Sequence, residues 1–88
     1  LFPGDDSCHV TDSYATVSVG KGLKRITLTA PVLSAARKVL FLVSGKGKQL
    51  ALKRLIDPSE SEDRTPARLV KPSTEITVLA DEAAAEGL

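Results

Sequence analysis

The feature that most constrains the fold is an unbroken apolar run, residues 39–43, which follows Lys38 and ends at Ser44 and Gly45. A run of this length that is closed by a turn signal is typical of a strand buried on both faces in a parallel sheet. It is far too short for a membrane-spanning helix, which needs ~20 apolar residues. We therefore predict a strand over 38–43 within an α/β fold, and no membrane segment.

The residues before this strand predict two more strands and a short helix. Residues 16–19 alternate between polar and apolar side chains and end at the Gly-Lys-Gly turn, 20–22. Residues 25–29 alternate again and are rich in β-branched side chains, which favours a second strand. Thr29 and Pro31 then suit the N-cap and first turn of a short helix.

The residues after the apolar strand predict further elements. An amphipathic helix is expected over 47–56, because its apolar residues recur at helical spacing. Residues 57–65 are mostly Ser, Glu and Asp with a proline, which predicts an exposed acidic loop. A single helical turn at 66–70 and a strand at 75–80 follow, and Asp81 can cap a last alanine-rich turn.

The order of these elements implies βαβ crossovers. We therefore predict an α/β fold of about three to four strands with crossover helices and a mostly parallel sheet. The 88 residues, 42% apolar and 26% charged, fit one domain over 1–88. The absence of methionine and the leucine at position 1 predict a piece of a longer chain. A core this small predicts marginal stability or dependence on a missing partner segment.

Charge is strongly segregated along the chain. Nine Lys or Arg residues and no acids lie between Ser13 and Ile56, whereas all eleven acids lie in the flanks. A positive field in the middle of the chain suits an anionic partner. The alternative is an ordinary solvated face that the acidic flanks neutralise in space.

Residues 44–48, Ser-Gly-Lys-Gly-Lys, join the apolar strand to the amphipathic helix. Backbone N–H groups and the helix dipole attract phosphate at this edge of a parallel sheet. The segment lacks the spacing of a Walker A loop, and a plain strand-to-helix turn is the competing interpretation. The backbone of Ser44, Gly45 and Gly47 is thus a candidate anion site.

The sequence contains no convincing catalytic or metal-binding group. Ser7, His9 and Asp12 are close in sequence, but such a grouping of common residues is expected by chance. Cys8 is the only cysteine, so it cannot close a disulfide within the chain. A structural zinc needs four ligands, and no second Cys or His is available. No metal and no cofactor are expected. The single cysteine and the lack of a secretory signal favour the cytoplasm.

Four stretches together resemble one family: residues 1–4 (Leu-Phe-Pro-Gly), 25–45 with Lys48, 66–72 and 81–84. Their order and spacing are similar to the C-terminal part of 6-phosphogluconolactonases, which belong with the glucosamine-6-phosphate isomerases. The resemblance implies a partial Rossmann-like three-layer fold. It also implies hydrolysis of 6-phosphoglucono-lactone, a phosphorylated sugar lactone, in the pentose phosphate pathway. In the sister deaminases a catalytic Glu stands at the position of Phe2, so Phe2 favours the lactonase branch.

By the same resemblance, Arg25 and Lys48 are the positions that grip the sugar phosphate. Lys21 resembles a further family lysine, but its distance from Arg25 is one residue shorter here, so Lys21 and Lys24 compete for that role. The family's Gly-x-Asp-Gly-His-x-Ala-Ser motif, which carries the general base, precedes Leu-Phe-Pro-Gly and is absent from these residues. His9 does not match the motif histidine. The chain alone is therefore expected to be inactive, with the missing N-terminal half or a partner chain supplying the base.

Two other function classes stay open beside this one. A non-catalytic polyanion-binding module would use the same nine cations, although the few aromatic residues argue against nucleic acid, whose bases stack on exposed rings. A protein-interaction module would expose the apolar surface that a missing half covers.

Overall fold

A computed structural model describes residues 1–88. The chain begins with a short 3-10 turn, Asp6–His9, and continues into an antiparallel hairpin of β1 (Ala15–Gly20) and β2 (Leu23–Leu28). Lys21 and Gly22 both have positive φ, 53° and 74°, as a two-residue hairpin turn requires. The two predicted strands and the turn between them are confirmed.

The second half of the chain builds a parallel βαβ unit. Helix α1 (Ala30–Ser34) leads into β3 (Lys38–Val43), and a 3-10 turn, Lys46–Lys48, opens helix α2 (Gln49–Ile56). A 3-10 turn at Pro66–Leu69 precedes β4 (Glu75–Ala80), which pairs with β3 in parallel, and α3 (Glu82–Ala85) ends the fold. The predicted helices and strands are therefore all present, with ends that shift by one or a few residues.

The prediction of a mostly parallel sheet is not confirmed. The four strands form two separate sheets of two strands each, one antiparallel and one parallel. The physical reason is the turn between β1 and β2, because two residues can join only antiparallel neighbours. The alternation of side chains along a strand carries no information about the direction of its neighbour.

The prediction that β3 is buried on both faces is wrong. Phe41 and Val43 face α2 and line a cavity with Leu52, but Leu40 and Leu42 on the opposite face are 58% and 79% exposed. A continuous apolar run does predict a strand, yet no other element of this chain covers the second face.

The core is small. Ten of the 88 residues are buried, and the buried apolar ones are Cys8, Ala30, Leu52, Val70 and Ala84. Leu52 of α2 is the largest of these, with 2% of its surface exposed. The longest helix, α2, has eight residues, and none of the helices could span a membrane. The buried core is therefore limited to a few, mostly small side chains.

The predicted acidic loop, 57–65, is not uniformly exposed. Glu60 is 7% exposed, and its carboxylate accepts hydrogen bonds from the Arg64 guanidinium and the Thr65 hydroxyl. Arg54 of α2 lies 3.5 Å from the same carboxylate. The hydrogen bond from Arg64 lowers the pKa of Glu60. Glu60 is buried because these donors replace the water that an ionised carboxylate would otherwise need.

Candidate functional site

The turn that follows β3 lies at the carboxyl end of the parallel strand pair. Gly45 has φ +94°, a conformation that side chains disfavour, and its N–H donates to both carboxylate oxygens of Asp81 at 3.1 Å. The N–H of Lys48 donates to the carbonyl of Gly45 at 3.1 Å. In open α/β sheets ligands bind at this edge, so the turn is placed where an anion site is expected.

Lys48 stands at the entrance to α2. It lines a cavity of about 400 Å³ together with Ser44 and the apolar side chains of Phe41 and Leu52. A side chain at Gly47 would meet no atom within 4 Å, so its backbone borders open space. Lys48 forms no ion pair within the chain. Its ammonium group is therefore available to an external anion.

The other predicted cations lie on the hairpin. Arg25 pairs with Ser18 across the strands, and its guanidinium carbon lies 5.7 Å from the centre of the Phe2 ring, a cation–π contact. Lys21 lies in the hairpin turn and Lys24 lies opposite Val19.

The structure brings Ser44, Gly45, Gly47 and Lys48 into one turn. No hydrogen bond or ion pair joins that turn to Arg25. Neither Arg25 nor Lys21 lines any of the five main cavities. The grouping of Arg25 and Lys21 with this turn therefore stays a prediction.

Most of the basic middle of the chain is not neutralised by the acidic flanks. Of the nine cations between Ser13 and Ile56, Lys38 pairs with Glu75 and Arg54 with Glu60, which leaves seven without an acidic partner. The remaining ion pairs, Arg64 with Glu60 and Lys71 with Glu62, join groups outside that segment. A surplus of positive charge therefore remains on the hairpin and around the turn after β3.

The structure does not bring the N-terminal polar residues together as a catalytic group. The His9 imidazole lies 3.4 Å from the carboxylate of Asp63, and both side chains are mainly exposed. Ser7 instead donates to the carboxylate of Asp5, which lowers the pKa of Asp5. Burial raises the pKa of the Cys8 thiol, so this cysteine has little thiolate character. No cluster of His, Cys, Asp and Glu could hold a metal ion.

Three contacts at these positions are not among those that the sequence predicts. They are the Phe2 ring beside Arg25, the bond from the Gly45 amide to Asp81, and the bond from the Gln49 side chain to the carbonyl of Ala83. Only Asp81 carried a signal. It is predicted as an N-cap, and its carboxylate accepts from the N–H of Ala84 at 2.8 Å, which confirms the cap. Its second partner, 36 residues away, has no local signature.

Known relatives match nearly the whole chain. The family described as glucosamine-6-phosphate isomerases/6-phosphogluconolactonase matches residues 1–79. A 6-phosphogluconolactonase of Synechocystis sp. is 39% identical over 88 residues, which are 100% of this chain and 37% of the relative. The human 6-phosphogluconolactonase is 49% identical over 63 residues, 70% of this chain and 24% of the relative. The chain thus spans between 24% and 37% of the length of these relatives.

Solved structures share the fold. The crystal structure of 6-phosphogluconolactonase from Leishmania guyanensis superposes with a TM-score of 0.80 at 24% identity, over 99% of this chain and 35% of that one. The devB protein superposes with a TM-score of 0.73 at 26% identity, over 89% of this chain and 34% of that one. Sequence and fold agree, and the chain belongs to the glucosamine-6-phosphate isomerase/6-phosphogluconolactonase family.

Proposed function

We propose that these residues form the C-terminal portion of a 6-phosphogluconolactonase and supply the cations that hold the phosphate of 6-phosphoglucono-lactone. The observation that carries the proposal is the turn after β3, where Lys48 is unpaired beside an open cavity at the carboxyl edge of the parallel strands. The product would be 6-phosphogluconate, in the pentose phosphate pathway and in the cytoplasm.

The proposed phosphate site has a specific composition. The Lys48 ammonium group supplies charge, the backbone of the turn with Ser44 and Gly47 supplies donors, and the N-terminus of α2 adds its dipole. Arg25 would contribute a guanidinium fork, which binds phosphate through two parallel hydrogen bonds. Lys21, or Lys24 in its place, would add a further cation.

Hydrolysis needs a base that activates water, and phosphate binding alone does not supply that step. None of the residues in the candidate site can act as this base. The proposal therefore assigns the base to the part of the lactonase fold outside these residues, whether it lies on the same polypeptide or on a partner chain. The chain by itself should not accelerate lactone hydrolysis above the rate in buffer.

A second role, as an interaction module, is favoured by the uncovered face of the parallel strands. Leu40 and Leu42 of β3 lie on this face with Leu79 of β4, and all three are more than half exposed. Such a contiguous apolar face marks a surface that another element covers. We propose that its occupant is the remaining portion of a lactonase fold, because the Leishmania enzyme superposes here with only 35% of its own chain. The two roles are compatible, since the same segment would bring the base.

The phosphate site is tested by NMR titration with 6-phosphogluconate. We expect weak binding, about millimolar, which weakens further as salt is added. The largest amide shifts should fall at 44–48 and near Arg25, and Arg25→Ala and Lys48→Ala should each remove them. Lys53→Ala is the matched control, because Lys53 is an exposed and unpaired cation on the same helix as the site.

Two results would contradict the proposal, one for the phosphate site and one for the base. Shifts spread evenly over all nine cations, or a stronger response to a short oligonucleotide, would favour a polyanion-binding module. Lactone turnover by the chain alone that His9→Ala abolishes would show that the base lies within these residues.

The interaction role is tested by adding the remaining N-terminal portion of the Synechocystis relative as a separate chain. We expect the two to associate and lactone hydrolysis to appear. Leu42→Asp should prevent association, because it places a charge on the apolar face, whereas Lys53→Asp, on the helix face away from the strands, should not. Association that Leu42→Asp leaves intact would mean that this face is not the contact.

A further inference from the structure

Asp81 joins the end of β3 to the start of α3. Both of its carboxylate oxygens accept from the N–H of Gly45 at 3.1 Å, and one of them also accepts from the N–H of Ala84 at 2.8 Å. The backbone N–H of Asp81 donates to the carbonyl of Val43 at 3.3 Å. A single residue therefore restrains the turn after β3 from 36 positions away.

Helix α3 also contacts the other end of the same turn. The side-chain amide of Gln49, the first residue of α2, donates to the carbonyl of Ala83 at 2.8 Å. Ala84 is fully buried. A Cβ at Gly87 would lie 3.2 Å from the Cβ of Gln49, so the chain end packs tightly against the start of α2. The segment 81–87 thus holds the turn 44–48 at both of its ends.

The turn has no comparable support of its own. Neither the 3-10 turn at Lys46–Lys48 nor α2 receives a side-chain cap from its preceding residue. Gly45 adopts φ +94°, and glycine loses more conformational entropy than any other residue when it is ordered. The turn's own backbone bond, from the Lys48 N–H to the Gly45 carbonyl, leaves the Gly45 N–H to an acceptor outside the turn. The Asp81 carboxylate is the only side chain that hydrogen-bonds to Gly45.

We propose that Asp81 is a positioning residue for the phosphate turn 44–48: its carboxylate holds the Gly45 amide and thereby sets the backbone that carries Lys48. This inference rests on the proposed function, because it takes the turn as the phosphate site. It also specifies which groups donate hydrogen bonds to the phosphate. The Gly45 N–H is already bonded to Asp81, so the donors are Lys48 and the other amides of the turn.

The competing hypothesis is that Asp81 weakens phosphate binding. A carboxylate beside an anion site repels the anion, so Asp81 would then compete with phosphate and its removal would tighten binding. Asp81→Ala removes both the charge and the acceptor. Asp81→Asn removes the charge and retains an acceptor that is also a good N-cap. Glu82→Gln is the matched control, because it removes a neighbouring charge that makes no contact with Gly45.

The experiment measures two quantities on the 88-residue chain and its variants: hydrogen exchange at the Gly45 amide without ligand, and the Kd for 6-phosphogluconate by NMR. We expect Asp81→Ala to speed Gly45 exchange by about tenfold or more and to raise the Kd about five- to tenfold, because the competent turn is less populated. Asp81→Asn should restore both quantities to within about twofold, and Glu82→Gln should change neither.

Each remaining outcome decides between the proposals. Gly45 exchange at the rate of an unstructured peptide in the unmodified chain would overturn the inference, as would tighter phosphate binding by Asp81→Ala or Asp81→Asn. Gly45 protection that depends on Asp81 without any phosphate response in the unmodified chain would support the hold on the turn and refute the proposed phosphate site instead.

Discussion

Leu52 is predicted to be the single most important apolar side chain for the stability of this chain. It is 2% exposed, so Leu52→Ala removes three carbons that are almost completely buried. At ~0.8 kcal/mol for each buried carbon, the transfer cost is about 2.4 kcal/mol. The cavity of about 400 Å³ that Leu52 lines is open to solvent, so the truncation enlarges an open cleft and creates no sealed void, and the cavity cost is small. We expect a total loss of about 2 to 3 kcal/mol, at the low end for such substitutions.

Urea unfolding followed by circular dichroism measures this loss. With a slope of about 1 kcal/mol per molar for a small domain, the midpoint should fall by about 2 M or more. If the alanine variant is already unfolded without denaturant, Leu52→Val can be measured instead, with an expected loss of stability of about 1 kcal/mol. Leu50→Ala is the matched control: the same substitution in the same helix, at a side chain that is 58% exposed, should cost about 1 kcal/mol or less. Equal losses at both positions would refute the assignment of the core to Leu52.

Three further predictions concern charge and backbone. Arg64 lowers the pKa of Glu60, so the unfolded chain takes up a proton at this residue at a higher pH than the folded chain does; the stability from Glu60 is complete above about pH 5 and is lost as pH falls through the lowered pKa. Glu60→Gln should therefore make the urea midpoint less dependent on pH in the acid range, and an unchanged dependence would contradict this. Gly20→Ala should lower the stability of the fold by about 1 to 3 kcal/mol, because its Cβ would overlap the Phe2 ring. In a chain that already carries Phe2→Ala, the same substitution should cost much less, as thermal melts of the single and double variants would show. Gly45→Ala should lower the melting temperature because φ is +94° there, although its Cβ would meet no neighbour, and an unchanged melt would show that the turn relaxes.

Local features were predictable because their causes lie within a few residues. The alternation around Val17 and the β-branched run at 25–29 predict the hairpin strands, and the apolar run predicts β3. Asp81 is recognisable as a cap, since an N-cap interaction spans only three residues. The resemblance on residues 25–45 predicts the family to which the matched relatives belong.

The candidate site was predictable only in part. The Ser-Gly-Lys-Gly-Lys turn, 44–48, is visible because a strand, a turn and a helix follow one another in sequence. The contact between Arg25 and Phe2, and the bond between Gly45 and Asp81, depend on how distant segments pack. No periodicity or spacing encodes such pairs, because each partner is only one of many polar or apolar residues in its own segment.

Local patterns were enough to predict the strands and helices, the acid-free basic segment 13–56 and the family of the chain. The division of the strands into two separate pairs, the outward position of Leu40 and Leu42 and the burial of Glu60 follow from how distant segments pack. The physical reason is that local backbone preferences depend on neighbours within a turn, whereas burial and strand direction depend on which distant surface comes to lie alongside. For β3, no such surface lies within these residues on one side, so an apolar run that predicts full burial remains half exposed.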